Sequence, residues 1–268
     1  MTQSPVRGHA LVTGASSGIG AAIAREYAAR GVPLVLVARR AERLQALAVE
    51  LSAKVECVVI AADLADPATP ARLFEETTSR GLFISTLVNN AGYGVPGRYL
   101  SADWKTHADF MQVLMTSVAE LTHRYLPAME AAGHGRILNV ASLAGLVPAT
   151  AGHTLYGATK AWLIRFSETL DQESRSRGVH VTALCPGMTY TEFHDVNGMR
   201  EKVSKLPKGI WLTSAEVARQ GVDAVESGRA RIVTGRSNKL IAGLSKYLPD
   251  RLARALLAAK AKDFRDAE

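Results

Sequence analysis

The run from Ala10 to Gly20 constrains the fold more tightly than any other part of the chain. Ala10 to Thr13 reads as a short apolar strand entering Gly14-Ala15-Ser16-Ser17-Gly18-Ile19-Gly20, and a helix follows to about Arg30 before Gly31 ends it. Strand, glycine turn and helix together form a place for a diphosphate. Glycines let the backbone turn tightly and come close to the ligand, and the open N–H groups of the helix start favour its negative charge. Spaced glycines alone are weak evidence, but here they stand between a strand and a helix at the start of a long α/β pattern.

That pattern continues. Leu34 to Ala38 and Val55 to Ile60 read as buried strands, separated by a charged helix from Ala41 to Leu51. Asp66-Pro67 offers an N-cap and a proline for a helix running toward Arg80, and Phe83 to Val88 is the next strand, ending at Asn89-Asn90-Ala91-Gly92. A long helix over Ala108 to Met129, a strand over Arg136 to Val140, a helix from Tyr156 to about Ser174 and a strand over Val179 to Leu184 follow. Thr213-Ser214-Ala215-Glu216 is a capping box opening a helix to about Glu226, and Arg231 to Thr234 supplies a seventh strand. The expected fold is a doubly wound, mostly parallel seven-stranded α/β sheet of the Rossmann type, formed by residues 1–268 as a single domain. The excursion from Pro186 to Ile210 is too long for an ordinary connection, so a substrate lid is expected around 188–212. The region around 240–260 is amphipathic and interrupted by Pro249, which suits packing on the fold, a subunit contact or peripheral contact with a membrane.

With 47% hydrophobic residues in 268, the chain can bury a substantial core. A net charge of +7 suits phosphate-bearing ligands, but the basic residues are scattered and aromatics are few, so nucleic acid is not expected as a partner. Cys57 and Cys185 lie in apolar segments without a CxxC pattern, and the polar stretch Met1 to His9 leaves no room for a secretory signal. Both point to thiols in a reducing, cytoplasmic setting.

At the end of the second strand, an acidic residue usually accepts hydrogen bonds from the ribose of NAD. This chain has Ala38-Arg39-Arg40 instead, and a guanidinium there pairs with a 2′-phosphate, favouring NADP(H); the alternative is that these arginines simply face solvent. Asp63-Leu64, just past the third strand, is placed to meet adenine, with a turn or cap role as the alternative. Asn89 to Gly92 is either a structural turn or a ligand-facing backbone.

Tyr156 and Lys160 are four residues apart and share one helix face. A nearby ammonium favours phenolate and suits the tyrosine to proton transfer. Ser142, just after a strand, can donate a hydrogen bond to a carbonyl or developing alkoxide. Tyr-x-x-x-Lys occurs on many solvated helices, so the spacing carries weight only beside the upstream glycine turn.

Taken in order, Thr13-Gly14-Ala15-Ser16-Ser17-Gly18-Ile19-Gly20, Asn89-Asn90-Ala91-Gly92, Ser142, Tyr156-Gly157-Ala158-Thr159-Lys160 and Pro186-Gly187-Met188-Thr189 with Thr191 resemble the short-chain dehydrogenase/reductase family over nearly the full length. The resemblance implies an oxidoreductase that moves hydride between NADP(H) and a ketone, aldehyde or secondary alcohol, without a metal. It implies that Ser142 orients the carbonyl, that Tyr156 gives or takes the proton, and that Lys160 lowers the tyrosine pKa and holds the nicotinamide ribose. Ser142 and Tyr156 would thus touch substrate. Gly14, Ser17, Gly18, Ile19 and Gly20, with Ser16 among them, match the diphosphate turn. Arg39 matches NADP-preferring members, Asn89 and Gly92 border the cofactor, and Pro186, Gly187 and Thr189 flank the nicotinamide carboxamide.

One position departs from the pattern. Where many members place an asparagine that assists a water-linked proton relay to the lysine, this chain has Leu114, and a leucine makes no amide hydrogen bonds. Tyr190, Phe193, Val196, Met199 and Val203 in the expected lid, with Leu143, Leu146, Val147 and Leu155 near the catalytic strand end, suit an apolar substrate portion or serve packing. His153 either approaches substrate or bonds at the helix start. A homo-dimer or homo-tetramer is expected from the resemblance. The competing reading is a noncatalytic NADP(H) sensor or scaffold, which would bind cofactor but transfer no hydride.

Overall fold

Alternate side chains of the first two strands go to opposite faces of a parallel sheet. In the computed structural model, which describes residues 8–149, 151–152, 154–192 and 210–248, Ala10, Val12, Leu34 and Leu36 join one buried cluster, whereas Leu11, Val35 and Val37 join another. This two-residue period, apolar on both faces, is what a sheet covered on both sides requires.

The strands are β1 (His9–Thr13), β2 (Leu34–Ala38), β3 (Cys57–Ala61), β4 (Ile84–Asn89), β5 (Gly135–Val140) and β6 (Val179–Cys185), with a short pair β7 (Thr189–Tyr190) and β8 (Leu212–Thr213), and then β9 (Arg231–Val233). The helices are α1 (Gly18–Ala29), α2 (Ala41–Leu51), α3 (Thr69–Ser79), α4 (Trp104–Met111), α5 (Ser117–Ala131), α6 (Thr154–Ser174), α7 (Ser214–Glu226) and α8 (Arg236–Tyr247). Seven strands form one all-parallel sheet in the order β3-β2-β1-β4-β5-β6-β9. The chain reverses its direction of travel between β1 and β4, and the crevice at such a switch is where open α/β sheets bind ligands.

One cluster packs α1, α2 and α7 on the sheet through Tyr27, Leu44 and Val222; the other packs α3, α4 and α5 on the opposite face through Leu73, Phe110 and Leu121. Gly31 ends the first helix as expected: it takes φ +72°, and the N–H groups of Gly31 and Val32 donate to the carbonyls of Ala28 and Tyr27 at 3.0 and 3.1 Å. The capping box also forms, with Thr213 Oγ1 accepting from the Glu216 N–H and the Glu216 carboxylate accepting from the Thr213 N–H.

Two local expectations change and one strand pair is added. Asp66 caps a turn rather than a helix, accepting from the Ala68 N–H at 2.9 Å, and α3 begins at Thr69 with Pro70 in its first turn. The long helix over Ala108 to Met129 is three pieces, α4, a π-helical turn over Gln112–Thr116, and α5. The pair β7 and β8 had no strand signature, being two residues each; it closes the ends of the excursion after β6, the bulk of which lies outside the described residues together with the chain beyond Leu248.

Candidate active site

The end of β1 and the end of β4 are clamped by one hydroxyl. Thr13 Oγ1 donates to the Val88 carbonyl at 3.1 Å and accepts from the N–H groups of Asn90 and Ala91 at 3.0 and 3.1 Å. Asn90 Nδ2 donates back to the Thr13 carbonyl at 2.9 Å, against the turn made by Gly14 at φ +66°. A Cβ on Gly14 would lie 2.7 Å from Asn90 Nδ2, and one on Gly20 would lie 2.4 Å from the same atom, so both positions need glycine for close approach. Ser17, at the N-cap of α1, makes no side-chain cap bond, and the first turn of α1 carries no acidic residue. Its N–H groups are left for an anionic ligand. These residues fit a dinucleotide diphosphate.

At the next strand end, Arg39 and Arg40 are both exposed. Arg40 reaches the glycine turn: Nη2 donates to Ser16 Oγ at 3.0 Å and to Ser17 Oγ at 2.8 Å. Asp63 is also exposed, and its Oδ1 accepts from the Ala65 N–H at 3.0 Å, so its turn role is realised. Leu64 is buried, and its carbonyl accepts from Ser117 Oγ at 2.9 Å.

The proton-transfer group sits at the ends of β5 and β6. Ala141 N–H donates to the Leu184 carbonyl at 2.7 Å and Leu143 N–H to the Pro186 carbonyl at 2.8 Å, which fixes Ser142 between the two strand ends. Gly145 then presses the short turn after Ser142 onto α6, where a Cβ would stand 2.6 Å from the Lys160 carbonyl carbon and 2.7 Å from the Ala161 nitrogen. That approach brings Ser142 beside Tyr156, whose hydroxyl it acts on. Lys160 Nζ lies 5.7 Å from the Tyr156 ring centroid and donates to the Val140 carbonyl at 2.7 Å.

Burial dominates the electrostatics. It pushes the Tyr156 hydroxyl above its ordinary value, and the bond from Ser142 pulls only partly the other way. Burial also brings the Lys160 ammonium down to about 8. Lys160 does not figure among the groups that shift Tyr156. The phenol is the favoured form, because desolvation penalises its anion and the lysine is held on Val140 rather than on the tyrosine oxygen.

Beside Tyr156 is a small recess of mixed lining, apolar at Val95, Tyr99 and Leu155 and polar at Arg98, His107 and Thr154, with Tyr99 stacked on His107 at 4.6 Å. Of the expected lid side chains, Tyr190 is exposed and stacks on Trp211 at 4.7 Å; Phe193, Val196, Met199 and Val203 lie outside the described residues, as does His153.

A comparison of sequences decides the family. The short chain dehydrogenase family profile matches residues 8–201. The chain belongs to the short-chain dehydrogenase/reductase family. It is 38% identical to a sulfoacetaldehyde reductase of Chromohalobacter salexigens over 222 residues, covering 78% of this chain and 85% of that one. Among solved structures it resembles a 7beta-hydroxysteroid dehydrogenase, with TM-score 0.83, 26% identity and 94% and 96% of the two chains covered. It also resembles a short-chain dehydrogenase from Sphingobium yanoikuyae in complex with NADPH, with TM-score 0.78, 29% identity and 97% and 96% covered.

Within this short-chain dehydrogenase/reductase, the side chain of Asn89 is engaged in the interior, which leaves its backbone as the part that would border a cofactor. The side chain is buried, and Nδ2 donates to Asn139 Oδ1 at 2.8 Å and Thr122 Oγ1 at 3.3 Å; the neighbouring Asn90 is the one that meets the glycine turn. Leu114 stands in the π-helical turn, 2% exposed, with its Cγ 3.5 Å from where a Cβ on Gly92 would be. It fills apolar space behind the Asn-Asn-Ala-Gly loop. Thr189 is buried and donates to the Gly187 carbonyl at 3.1 Å, while Gly187 is needed for the approach of Asn238, whose Oδ1 would lie 2.3 Å from a Cβ there. Asn90, Gly145 and Asn238 escaped the sequence reading. Asn90 stood within a quoted motif and so had a signal, whereas the other two act through contacts between distant segments.

Proposed function

We propose that this enzyme moves hydride between NADP(H) and the carbonyl carbon of a ketone or aldehyde, or the secondary alcohol in reverse, with the apolar part of the substrate against Val95, Tyr99 and Leu155. The observation that carries this reading is the convergence of Ser142, Tyr156 and Lys160 beside that recess, at the carboxyl ends of the same sheet whose β1 end forms a diphosphate cradle. The NADPH-bound relative and the arginines after β2 support the phosphorylated cofactor. Gly14, Ser16, Ser17, Gly18, Ile19 and Gly20 would hold its diphosphate, Arg39 its 2′-phosphate, Asp63 and Leu64 its adenine side, and Gly92, Tyr156, Lys160, Pro186, Gly187 and Thr189 its nicotinamide half.

When bound, the cofactor supplies the hydride. The chain supplies the proton and the orientation. Ser142 donates a hydrogen bond to the carbonyl oxygen and fixes it beside Tyr156. Tyr156, kept neutral by burial, gives its O–H proton to that oxygen as negative charge develops. Lys160, as an ammonium, stabilises the phenolate left behind, which recovers its proton from solvent.

The test is NADPH oxidation over aldehydes, diketones, steroid ketones and oxoacyl compounds, run beside Tyr156→Phe. The variant should lose roughly 10²- to 10⁴-fold in turnover while still binding NADPH. Equal turnover in the variant would overturn the acid role of Tyr156.

The free thiols of Cys57 and Cys185 support a cytoplasmic setting, and among the described residues no helix is long and apolar enough to cross a membrane. The exposed Leu240, Leu244 and Tyr247 on α8 support a homo-dimer or homo-tetramer through a subunit contact. Residues 1–268 act as one catalytic domain.

A further inference from the structure

Glu192 follows β7 by two residues, 152 positions from Arg40 in sequence, yet the two meet. Its carboxylate accepts from Arg40 Nη1 at 3.1 Å, and Arg43 Nη1 donates to both of its oxygens at 2.7 and 2.8 Å. Arg43 first, then Arg40, hold the Glu192 carboxyl below the usual carboxylate range, so it is charged at neutral pH. Arg40 Nε and Nη2 rest on Ser16 and Ser17 of the glycine turn. Between these contacts, Thr191 covers Gly18, where a Cβ would lie 3.3 Å from the Thr191 side chain. The segment from Thr189 to Glu192 therefore crosses the outside of the cradle, from the expected nicotinamide end to the arginines.

A carboxylate and a phosphate ask the same thing of a guanidinium, two parallel N–H bonds and a positive charge. Glu192 already occupies one side of Arg40 and one terminal nitrogen of Arg43. We propose that Glu192 is a specificity-determining residue for the cofactor, an internal carboxylate that competes with the 2′-phosphate of NADP(H) for Arg40 and Arg43 and so limits the preference over NAD(H). This rests on the reading that the end of β2 faces the adenosine ribose. NAD(H) carries no 2′-phosphate and leaves the Glu192 pairs undisturbed. Arg39, which the proposed function places on the same 2′-phosphate, is not tied to Glu192, so the phosphate would be shared between an arginine that Glu192 leaves free and the two that it holds.

The pairs are half-exposed, so their effect is moderate and salt-sensitive. Calorimetric binding of adenosine 2′,5′-bisphosphate and of 5′-AMP to the full-length protein tests the proposal. Glu192→Gln should bind the bisphosphate roughly three- to tenfold more tightly at low salt, with 5′-AMP unchanged and the gain shrinking as salt is raised. Unchanged or weaker bisphosphate binding in Glu192→Gln, in a parent that prefers the bisphosphate to 5′-AMP, would overturn the role of Glu192 alone. A parent that binds the two probes equally would overturn the placement of the 2′-phosphate at these arginines, and the competition with it.

Discussion

Lys160 is 6% exposed and hydrogen bonded to the Val140 carbonyl, and it gives up its proton at about 8 rather than near the ordinary lysine value. Between those two pH values the unfolded chain binds a proton at this residue that the folded chain does not. Charged Lys160 therefore costs stability below about 8, and that cost is relieved as pH rises from there toward the ordinary value. In the proposed mechanism activity follows the opposite course, because the ammonium would be the form that stabilises a deprotonated Tyr156. The kcat/KM for NADPH in carbonyl reduction, which reports ionisations of the free enzyme, should fall through an apparent value of about 8 as pH increases. A profile flat across that range would remove Lys160 from the proton chemistry. The pairing of Tyr156 with Lys160 was legible from their four-residue spacing and the upstream turn. The direction of the Tyr156 shift was not, since it depends on burial by residues from several elements.

The helix that carries both residues is tied to the sheet by a buried polar chain. Asn89 on β4 donates to Asn139 on β5, Asn139 Nδ2 donates to Ser167 Oγ on α6 at 2.9 Å, and Ser167 Oγ donates to the Leu163 carbonyl at 2.6 Å. Asn139 and Ser167 are wholly buried, so removing the middle link strands polar groups on both sides. Asn139→Ala should lower unfolding stability by about 1–3 kcal/mol, read as a reduced urea midpoint with an unchanged slope. An unchanged midpoint would show that the chain of bonds contributes nothing net. Strands and most helices were readable because their apolar periods are local. The break between α4 and α5 was not, since a π-helical turn keeps helical spacing on either side, and Leu114 at its centre satisfies the same apolar pattern as its neighbours. The two-residue strands β7 and β8 lie below the length at which alternation has meaning, and they exist because Thr189 and Tyr190 find Leu212 and Thr213 across the excursion.

Across the whole molecule, the strand order puts the proposed phosphate contacts and the proposed proton-transfer group on different halves of one sheet. The turn after β1 and the arginines after β2 lie on one side of the switch between β1 and β4, and Ser142, Tyr156 and Lys160 lie on the other. Reversing charge with Arg39→Glu should weaken NADP(H) binding selectively and leave NAD(H) binding far less affected, measured as the ratio of dissociation constants. An unchanged ratio would place the phosphate elsewhere. Sequence motifs exposed both halves because each is built from a strand end and the few residues after it. They could not expose Glu192, whose partners are brought to it only by the crossing of the finished sheet. The division also bears on descent. On the proposed roles, a lineage would exchange its cofactor by changes after β2 that leave the proton-transfer group untouched, or its substrate by changes around the recess that leave the phosphate contacts untouched. The segment ending at Glu192 starts in one half and is tied to the other, so it is where two such independent histories would have to be reconciled.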